Sequence, residues 1–396
     1  MKQGWEIRRL EEICLRITDG SHFSPKEDLN GKYPMLSVKD MGLTCFSYDN
    51  CKYINEDDYK TLVANGCKPS IDDVLVAKDG SYLKTAFVQR VEKEQVILSS
   101  IAILTPNKTI LNPDFLAFFF KSHHTKDIVE RNYLTGTAIK RVILKGFRKI
   151  SLSVPPIAEQ EKIVAELDCL SGIIVKKKQQ LKELDNLAQS IFYEMFGDPV
   201  ENDKGWETIN IENICSSIVR GPFGSALKKE FFVEQAPTTY KVYEQKHAIQ
   251  KSADIGTYFI DAERFQTLKR FEVVPGDIIM SCSGTIGEFF VIPEGAERGI
   301  INQALLKYTL NDSIDQTYFL YVMEWVKENF DKKGTGLQNI GSVGTIKKTK
   351  ISFPPLPLQQ DFASKIESIE KQKELIAQSI KETETLFNSR MDYYFG

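Results

Sequence analysis

Apolar residues in the stretch 155–197 recur at alternating steps of four and three positions. Nine of the ten positions in this series are apolar, and Lys, Glu, Gln and Asp fill most of the positions between them. The ten are Ile163, Leu167, Leu170, Ile174, Lys177, Leu181, Leu184, Ala188, Ile191 and Met195. A narrow seam with a period of about 3.5 residues is typical of a coiled-coil helix. The pattern predicts one long helix from Ile163 onward that needs a partner along its seam.

The same pattern returns 199 positions later, in the stretch 354–396. Its ten positions, seven of them apolar, are Phe362, Ile366, Ile369, Lys373, Ile376, Ile380, Thr383, Phe387, Arg390 and Tyr394. Both stretches begin with Pro-Pro and end with Phe-Gly. This agreement in spacing and in both ends indicates that the chain is an internal duplication.

The segments before the two helices also repeat. The run 4–14 returns at 205–215, and the run 73–80 is matched by 277–284, each a short apolar strand that enters a Gly turn. A capped amphipathic helix is then predicted after Asn112 and after Asp315. We expect an α/β (α+β) fold in four segments: two units of mixed short strands and helices, 1–154 and 198–353, and two helices, 155–197 and 354–396.

A helix of about 40 residues is about 60 Å long, a distance equal to about 17 base pairs of DNA. Each seam finds its best partner in the copy within the same chain, and we favour that pairing over dimerisation between separate chains. Antiparallel packing would hold the two units at opposite ends of a rod with pseudo-two-fold symmetry. Lys177 and Lys373 interrupt the seams, and we predict that they fix the register of pairing or face a partner subunit.

Composition narrows the class of protein. An apolar content of 42% and a charged content of 27% are those of a globular chain, and a net charge of −3 excludes a generally basic nucleic-acid protein. The seven cysteines include no Cys-x-x-Cys pair, which favours reduced, mostly buried thiols. The longest apolar run, 115–120, is too short to span a membrane. These features predict a soluble cytoplasmic protein.

Loops that carry Gly, amides and basic residues are the candidate DNA-binding positions, because Arg and Lys pair with guanine, Asn and Gln pair with adenine, and Gly turns hold phosphates. In the first unit the candidates are Ser21, His22, Lys26, Lys39, Lys78, Lys140 and Arg141. In the second they are Arg220, Phe223, Ser225, Lys228, Lys241, Ser281, Ser283, Gln338 and Asn339. Basic residues that recur before each Pro-Pro pair are candidate phosphate contacts, namely Lys145, Arg148, Lys149, Lys347, Lys348 and Lys350.

Motifs for catalysis are missing from the sequence. The four histidines show no metal-ligand spacing. The run 112–115 is similar to the Asn-Pro-Pro-Phe/Tyr loop of adenine methyltransferases but lacks the second Pro, and a helix cap is the better interpretation. The glycines at 334 and 336 fit no nucleotide-binding spacing. We predict no catalytic residue and no metal site.

With these motifs, the chain resembles the specificity subunit of type I restriction–modification systems. The resemblance rests on the runs 220–225 (RGPFGS), 275–279 (PGDII), 284–287 (GTIG) and 301–303 (INQ), and above all on the Pro-Pro pair followed by Gln and a long helix, which occurs twice. It covers essentially the full length. The first unit departs from it, with DGSY at 79–82 where the second has SGTI.

The resemblance implies a non-catalytic subunit in which each unit is a target-recognition domain that reads one half of a split, asymmetric site in double-stranded DNA. It implies that the helices set the spacer and dock two modification (methyltransferase) subunits. S-adenosylmethionine, ATP and Mg would then act on partner subunits, which include restriction/translocase subunits. Two alternatives stay open: a duplicated DNA-modifying or nucleotide-dependent enzyme with an unrecognised active site, and a coiled-coil scaffold.

Overall fold

The computed structural model describes residues 4–80, 82–136, 140–327, 332–333, 339–340 and 342–396. The chain forms two compact units: unit 1 is Met1–Gln180 with Ile376–Gly396, and unit 2 is Leu181–Leu375. The α-helices are α1 Leu10–Ile13, α2 Glu56–Ala64, α3 Pro113–Lys121, α4 His123–Asn132, α5 Leu144–Lys149, α6 Ile157–Phe196, α7 Gln245–Ile249, α8 Ala262–Thr267, α9 Gln316–Val326, α10 Val343–Lys348 and α11 Leu356–Phe395.

The strands are short, as the sequence predicts. Those of unit 1 are β1 Glu6–Arg9, β2 Cys14–Asp19, β3 Tyr33–Leu36, β4 Lys52–Ile54, β5 Val74–Ala77, β6 Ala86–Val88, β7 Val96–Ile97, β8 Ile101–Pro106, β9 Leu134–Thr135, β10 Arg141–Val142 and β11 Ser151–Val154. Those of unit 2 are β12 Thr208–Asn210, β13 Cys215–Arg220, β14 Tyr240–Tyr243, β15 Phe259–Ile260, β16 Glu272–Val273, β17 Ile278–Ser281, β18 Phe289–Val291, β19 Gly299–Ile301, β20 Leu305–Leu310, β21 Lys332–Lys333, β22 Asn339–Ile340 and β23 Lys350–Ser352.

Unit 1 is built around an antiparallel four-stranded sheet in the order β2-β8-β5-β6. All four residues of β5 are buried, as expected for a continuous apolar run at the centre of a core. A second sheet, β4-β3-β7, combines an antiparallel and a parallel pair. Strand β1 pairs with β11, which brings Glu6 opposite Val154, directly before the first Pro-Pro pair.

Unit 2 repeats this plan. Its main sheet has the order β13-β20-β17-β18, and its second sheet, β15-β14-β19-β16, again contains one parallel pair, β14 with β19. Strands β12 and β23 pair as β1 and β11 do. The duplication predicted from the sequence is therefore also a duplication of topology.

Both predicted long helices are present, and each has 40 residues. Helix α6 begins six residues before Ile163, because the turn after Pro156 is already helical: the Pro156 carbonyl accepts hydrogen bonds from the N–H groups of Glu159 and Gln160. Every seam position is buried or half-buried. The seam residues are therefore packed against other residues along the whole length of both helices, as predicted.

Within unit 1, the α6 part and the α11 part run antiparallel. Glu166 near the start of α6 pairs with Arg390 near the end of α11, and Lys177 donates to the hydroxyl of Ser379. Their apolar residues join α3 in one core, where the ring of Phe395 lies 5.1 Å from that of Phe115.

Within unit 2, the α6 part and the α11 part are likewise antiparallel. Asp185 pairs with Lys373 at 2.8 Å, and the rings of Phe196 and Phe362 lie 5.3 Å apart, centre to centre. Both units thus confirm that each seam finds its partner in the same chain.

The Gln that follows each Pro-Pro pair is fully buried. In unit 1 the Gln160 side chain accepts a hydrogen bond from the backbone of Asn112 and donates to the Ile110 and Pro155 carbonyls, all at 2.8 Å. Asn112 in turn caps α3, because its side chain accepts from the N–H groups of Asp114 and Phe115. The interpretation of the run 112–115 as a helix cap is confirmed.

Candidate nucleic-acid interface

A cleft of about 930 Å³ opens in unit 2 at the ends of β13 and β17. Its lining contains four of the candidates chosen from the sequence, Arg220, Phe223, Ser225 and Ser283. The first three lie at the end of β13 and in the loop after it, Ser283 follows β17 about 60 positions later, and the main sheet brings the two segments together. The cleft is therefore the surface of unit 2 where the predicted DNA-binding residues converge.

The loop that follows β13 lies against the backbone after β19. The N–H of Gly221 donates to the Leu305 carbonyl at 3.0 Å. A Cβ atom at Gly221 would lie 1.8 Å from the Asn302 carbonyl oxygen, so a side chain at this position would displace the backbone. Glycine is required here because the loop packs directly on the chain beneath it.

The charge of the cleft is basic. Arg220, Arg270 and Lys347 line it together with the amide of Gln303, and no carboxylate belongs to its described lining. Since the whole chain carries a net charge of −3, this is a local cationic surface on an otherwise acidic protein. Such a surface attracts polyanions by short-range contacts, as predicted from the composition.

Cys282 precedes the cleft residue Ser283 and is fully buried. Burial raises the pKa of its thiol to about 12, against the opposing effect of the Arg220 charge. All seven cysteines are free, but Cys45 and Cys169 are exposed, so the expectation of mostly buried thiols holds only in part. Across the described parts of the chain, no cluster of three His, Cys, Asp or Glu residues could hold a metal ion.

Unit 1 has the same backbone arrangement with different side chains. The N–H of Gly20 donates to the Ile101 carbonyl at 3.3 Å, as Gly221 does to Leu305. The N–H of Lys78 donates to the Ser100 carbonyl as that of Cys282 does to Ala304, which makes Lys78 the counterpart of Cys282. The two surfaces therefore share backbone hydrogen bonds, but the side chains at the matched positions differ in charge and polarity.

The unit 1 surface is built around an ion cluster. Lys78 lies 3.3 Å from Asp19 and 3.2 Å from Asp79, measured from its Nζ to the carboxylate oxygens. Exposed His22 lies 3.3 Å from the same Asp19. The backbone of Lys140 accepts from Gly80, and Arg141 forms a β-bridge with Asp79, so this basic turn joins the cluster.

Four candidates, Ser21 among them, are buried and so differ from the expectation of solvent-facing loop residues. Lys78 is 4% exposed, Lys241 is 2% exposed and Ser281 is fully buried. Lys241 pairs with Glu297 at 3.0 Å, and Ser281, inside β17, accepts a hydrogen bond from the Glu288 N–H. Their placement on the surface was wrong, because Asp19 and Asp79 neutralise Lys78, Glu297 neutralises Lys241, and the Glu288 N–H satisfies the Ser281 hydroxyl.

Arg220 and Ser283 are half-buried in the cleft, and His22 is exposed beside Asp19. The other candidates divide into three groups. Ser21 is 8% exposed, and its hydroxyl bonds to the backbone of Phe23. Exposed positions at which DNA contact stays a prediction are Lys26, Lys39, Lys140, Arg141, Phe223, Ser225 and Lys228. Gln338 and the side chain of Asn339 lie outside the described residues.

Arg270 is the cleft residue that sequence reasoning missed. It lies in a short 3₁₀ turn, Lys269–Phe271, that precedes β16, and it is exposed. Neighbouring residues in the sequence give no sign of the cleft, because Arg270 reaches it only through the packing of the second sheet beside the first. The available signal was the Lys269-Arg270 pair itself, a basic step between two apolar residues.

Comparison with known proteins places these observations in a family context. A family model described as the type I restriction modification DNA specificity domain matches the chain twice, over residues 2–186 and 203–385. The specificity subunit of the type I restriction enzyme MjaVIII from Methanocaldococcus jannaschii is 22% identical over 403 residues, covering 96% of this chain and 91% of that protein. The MjaIX specificity subunit from the same organism is 22% identical and covers 92% and 86%.

Solved structures share the fold. The type I restriction–modification S subunit from M. genitalium matches with a TM-score of 0.56 at 13% identity, covering 99% of this chain and 96% of that one. A chain from a study of complex assembly and conformational transition of the type I R-M system matches with a TM-score of 0.63 at 18% identity, covering 100% and 98%. No helix among the described residues is both long and apolar enough to cross a membrane.

Proposed function

Because the chain belongs to the family of type I restriction-modification DNA specificity domains, we propose that it reads DNA sequence for a multisubunit restriction–modification complex. The observation that carries the proposal is the basic cleft of unit 2, which Arg220, Arg270 and Lys347 line together with Gln303. Guanidinium and ammonium groups contact phosphates or guanine, and an amide pairs with adenine. A cleft with this lining has the groups needed for both positioning and base recognition.

Each unit reads one half of a bipartite site, and the halves differ. Unit 1 presents the exposed ring of His22 beside the buried Asp19–Lys78 ion pair, whereas the cleft of unit 2 is lined by Arg220, Arg270 and Lys347. Guanidinium and ammonium groups only donate hydrogen bonds, whereas a neutral imidazole can also accept one. Different donor and acceptor patterns on equivalent backbones support an asymmetric recognition sequence.

The subunit acts in this proposal without chemistry of its own. The paired helices set the spacer between the half-sites and dock two modification subunits, which use S-adenosylmethionine. ATP and Mg belong to restriction/translocase subunits. The support is the pairing of the two long helices. Their apolar seams face each other, whereas the positions of α6 and α11 outside the seams are largely charged and exposed. These outer faces are available for docking a partner subunit.

The test is a methylation map. The chain is co-expressed with its methyltransferase partner, and methylated adenines are located across a genome. We expect a two-part motif in which replacement of residues 1–154 by the same unit of another family member changes one half only. Replacement of residues 198–353 is the matched exchange and should change the other half.

Two results would contradict the proposal. One is a motif that changes in both halves after a single exchange, or the lack of any motif. The other is methyl transfer or nucleotide hydrolysis by the purified chain alone, which is the outcome expected of a duplicated DNA-modifying enzyme. DNA binding by the complex without sequence preference would instead indicate a scaffold.

A further inference from the structure

Phe223 stands at the mouth of the basic cleft and is 89% exposed. Singly exposed apolar residues are common on protein surfaces. Phe223 differs from such residues in its setting, because it lies beside cationic and amide groups on a loop whose backbone is fixed on both sides. An aromatic ring held out over a basic surface is the arrangement that proteins use to stack on nucleic-acid bases.

The loop before Phe223 is anchored. Gly221 packs on the Asn302 carbonyl, and the next residue, Pro222, is buried and has a restricted φ angle. These two contacts fix where the chain emerges from the sheet. The ring of Phe223 is therefore presented from a defined point and not from a free loop.

The loop after Phe223 is also anchored. The Phe223 carbonyl accepts a hydrogen bond from the Ala226 N–H at 2.8 Å. The Ala226 carbonyl in turn accepts from the Arg264 guanidinium, with the Arg264 Nε at 3.1 Å. That guanidinium lies over the ring of Phe231 at 4.0 Å. Little conformational freedom is lost when a ligand contacts a residue held in this way.

Unit 1 presents an aromatic ring from the equivalent loop. Phe23 follows Gly20, whose Cβ would lie 2.1 Å from the Ile97 carbonyl oxygen, and Phe23 is 67% exposed. The Ser21 hydroxyl accepts from the Phe23 N–H at 3.1 Å and so fixes this loop as well. Two units that differ in most of their side chains both place an exposed phenylalanine just after a glycine that packs on the second sheet.

From these contacts we propose that Phe223 is an aromatic wedge: its ring enters a base step of the half-site read by unit 2 and stacks on a base. The proposal rests on the proposed function and adds a distortion of the DNA to it. Arg270 and Lys347 have no ion-pair partner among the described residues, and they contact the phosphates beside the opened step. Apolar side chains that enter base steps unstack them and bend the duplex.

The experiment uses the complete complex with its modification subunits and a duplex that carries the mapped motif. The adenine analogue 2-aminopurine, whose fluorescence rises on unstacking, replaces adenines of the unit 2 half-site one at a time, leaving the methylated adenine unchanged. The variants are Phe223→Ala, Phe223→Leu and Phe223→Trp. Val274→Ala, an exposed apolar position of unit 2 outside the cleft lining, is the control.

We expect the wild-type complex to raise the fluorescence at one position, and Phe223→Trp to retain the rise. Phe223→Ala should abolish it and weaken binding about 5- to 150-fold, the range expected for loss of one base–aromatic stack. Phe223→Leu separates the wedge from the stack, because an aliphatic side chain still enters a step but offers no ring. It should retain part of the fluorescence rise while binding more weakly than Phe223→Trp.

A Phe223→Ala complex that binds and raises fluorescence as wild type does would overturn the wedge and leave the proposed function intact. So would an equal loss of binding in the Ala, Leu and Trp variants, since the ring would then have no specific part. If wild-type complex gives no bipartite motif, the proposed function itself fails, and the two failures are thus distinguishable.

Discussion

The side-chain oxygen of Gln160 accepts a hydrogen bond from the backbone N–H of Asn112 at 2.8 Å. This contact ties the first turn of a 40-residue helix to the residue that caps α3. In unit 2, Gln359 accepts from the Asp315 N–H at 2.9 Å, and Asp315 caps α9. The Gln that follows each Pro-Pro pair is thus the joint between a long helix and the sheet-bound helix beside it.

Gln160→Leu should destabilise unit 1 by about 1–3 kcal/mol, because the buried Pro155 carbonyl loses its partner and the part-buried backbone groups of Asn112 and Ile110 lose theirs. The measurement is urea unfolding followed by the fluorescence of Trp5. Trp206→Phe and Trp325→Phe remove the other two tryptophans of the chain, so the signal reports unit 1 alone.

Gln180→Leu, at an exposed position of α6, is the matched control and should change the free energy of unfolding by less than about 0.5 kcal/mol. Gln359→Leu should leave the Trp5 transition in place and destabilise unit 2. A Gln160→Leu variant as stable as the Gln180→Leu variant would show that these hydrogen bonds do not hold the joint.

The contacts of Gln160 and Gln359 show which parts of the fold the sequence could predict and which it could not. The seams, the caps at Asn112 and Asp315 and the duplication depend on spacing along the chain, and the structure confirms them. That Gln160 would reach Asn112 depends on packing between residues 48 positions apart, and no local pattern encodes it. The repeated Pro-Pro and Gln pattern showed where each long helix begins, but not that Gln160 contacts Asn112.

The candidate site, like the fold, could be predicted only in part. The loop of Gly221 and Phe223 was a candidate because a loop with glycine and basic residues is a local signal. Lys78 and Lys241 were misplaced because lysine is ordinarily exposed, and their burial depends on Asp19 and Glu297. Carboxylates that lie far away in the sequence change the environment of a residue in a way that its neighbours in sequence do not reveal.

Replacing both Lys177 and Lys373 with Leu should alter assembly of the complex or the spacer of its methylated motif. Lys177 donates to the hydroxyls of Ser379 and Thr383 on α11, and Lys373 pairs with Asp185 on α6. Polar residues inside an apolar seam fix its register, and an all-apolar seam tolerates a slip by one repeat. The measurements are the mass of the complex and the spacer length from a methylation map.

Lys178→Leu is the control for this variant. Lys178 also joins α6 to α11, by a 2.7 Å ion pair with Glu384, but it lies outside the seam and is exposed. Its loss should change neither the mass nor the spacer. If the double variant also gives wild-type mass and an unchanged spacer, the two lysines do not set the register.

Lys347→Ala should weaken DNA binding by similar factors on cognate and unrelated duplexes. The ammonium group lines the basic cleft, and a contact to phosphate carries no sequence information. The slope of log affinity against log salt should become shallower by about 0.9, the value for one released counterion. Binding is measured with the full complex between about 50 and 200 mM salt.

Lys60→Ala provides the comparison, since Lys60 is an exposed lysine on α2 that is not part of the cleft lining. Its slope should equal that of wild type. A Lys347→Ala complex that loses affinity for the cognate duplex alone would instead assign Lys347 to base recognition.

His247 should make the stability of unit 2 depend on pH. Its ring is buried, and desolvation lowers its pKa below the ordinary value of 6.5. Nδ1 accepts from the Glu244 N–H at 2.8 Å, and Nε2 lies 2.7 Å from the Ile255 carbonyl oxygen, so the neutral ring with its proton on Nε2 satisfies both partners. Well above pH 6.5 the ring is neutral in both the folded and the unfolded state.

As the pH falls below 6.5, the unfolded ring binds a proton that the folded ring does not, so the free energy of unfolding decreases until the folded pKa is reached. The decrease is at most about 1.4 kcal/mol per pH unit for one proton. We expect His247→Gln to remove this component, because Gln does not titrate and still accepts from the Glu244 N–H as the third residue of a capping box. His22→Gln, at an exposed ring in unit 1, should retain it. The measurement is urea unfolding at pH 7.5, 6.5 and 5.5 in a Trp5→Phe background, in which Trp206 and Trp325 report on unit 2. If the free energy of unfolding falls equally in wild type and His247→Gln, this histidine is not the cause.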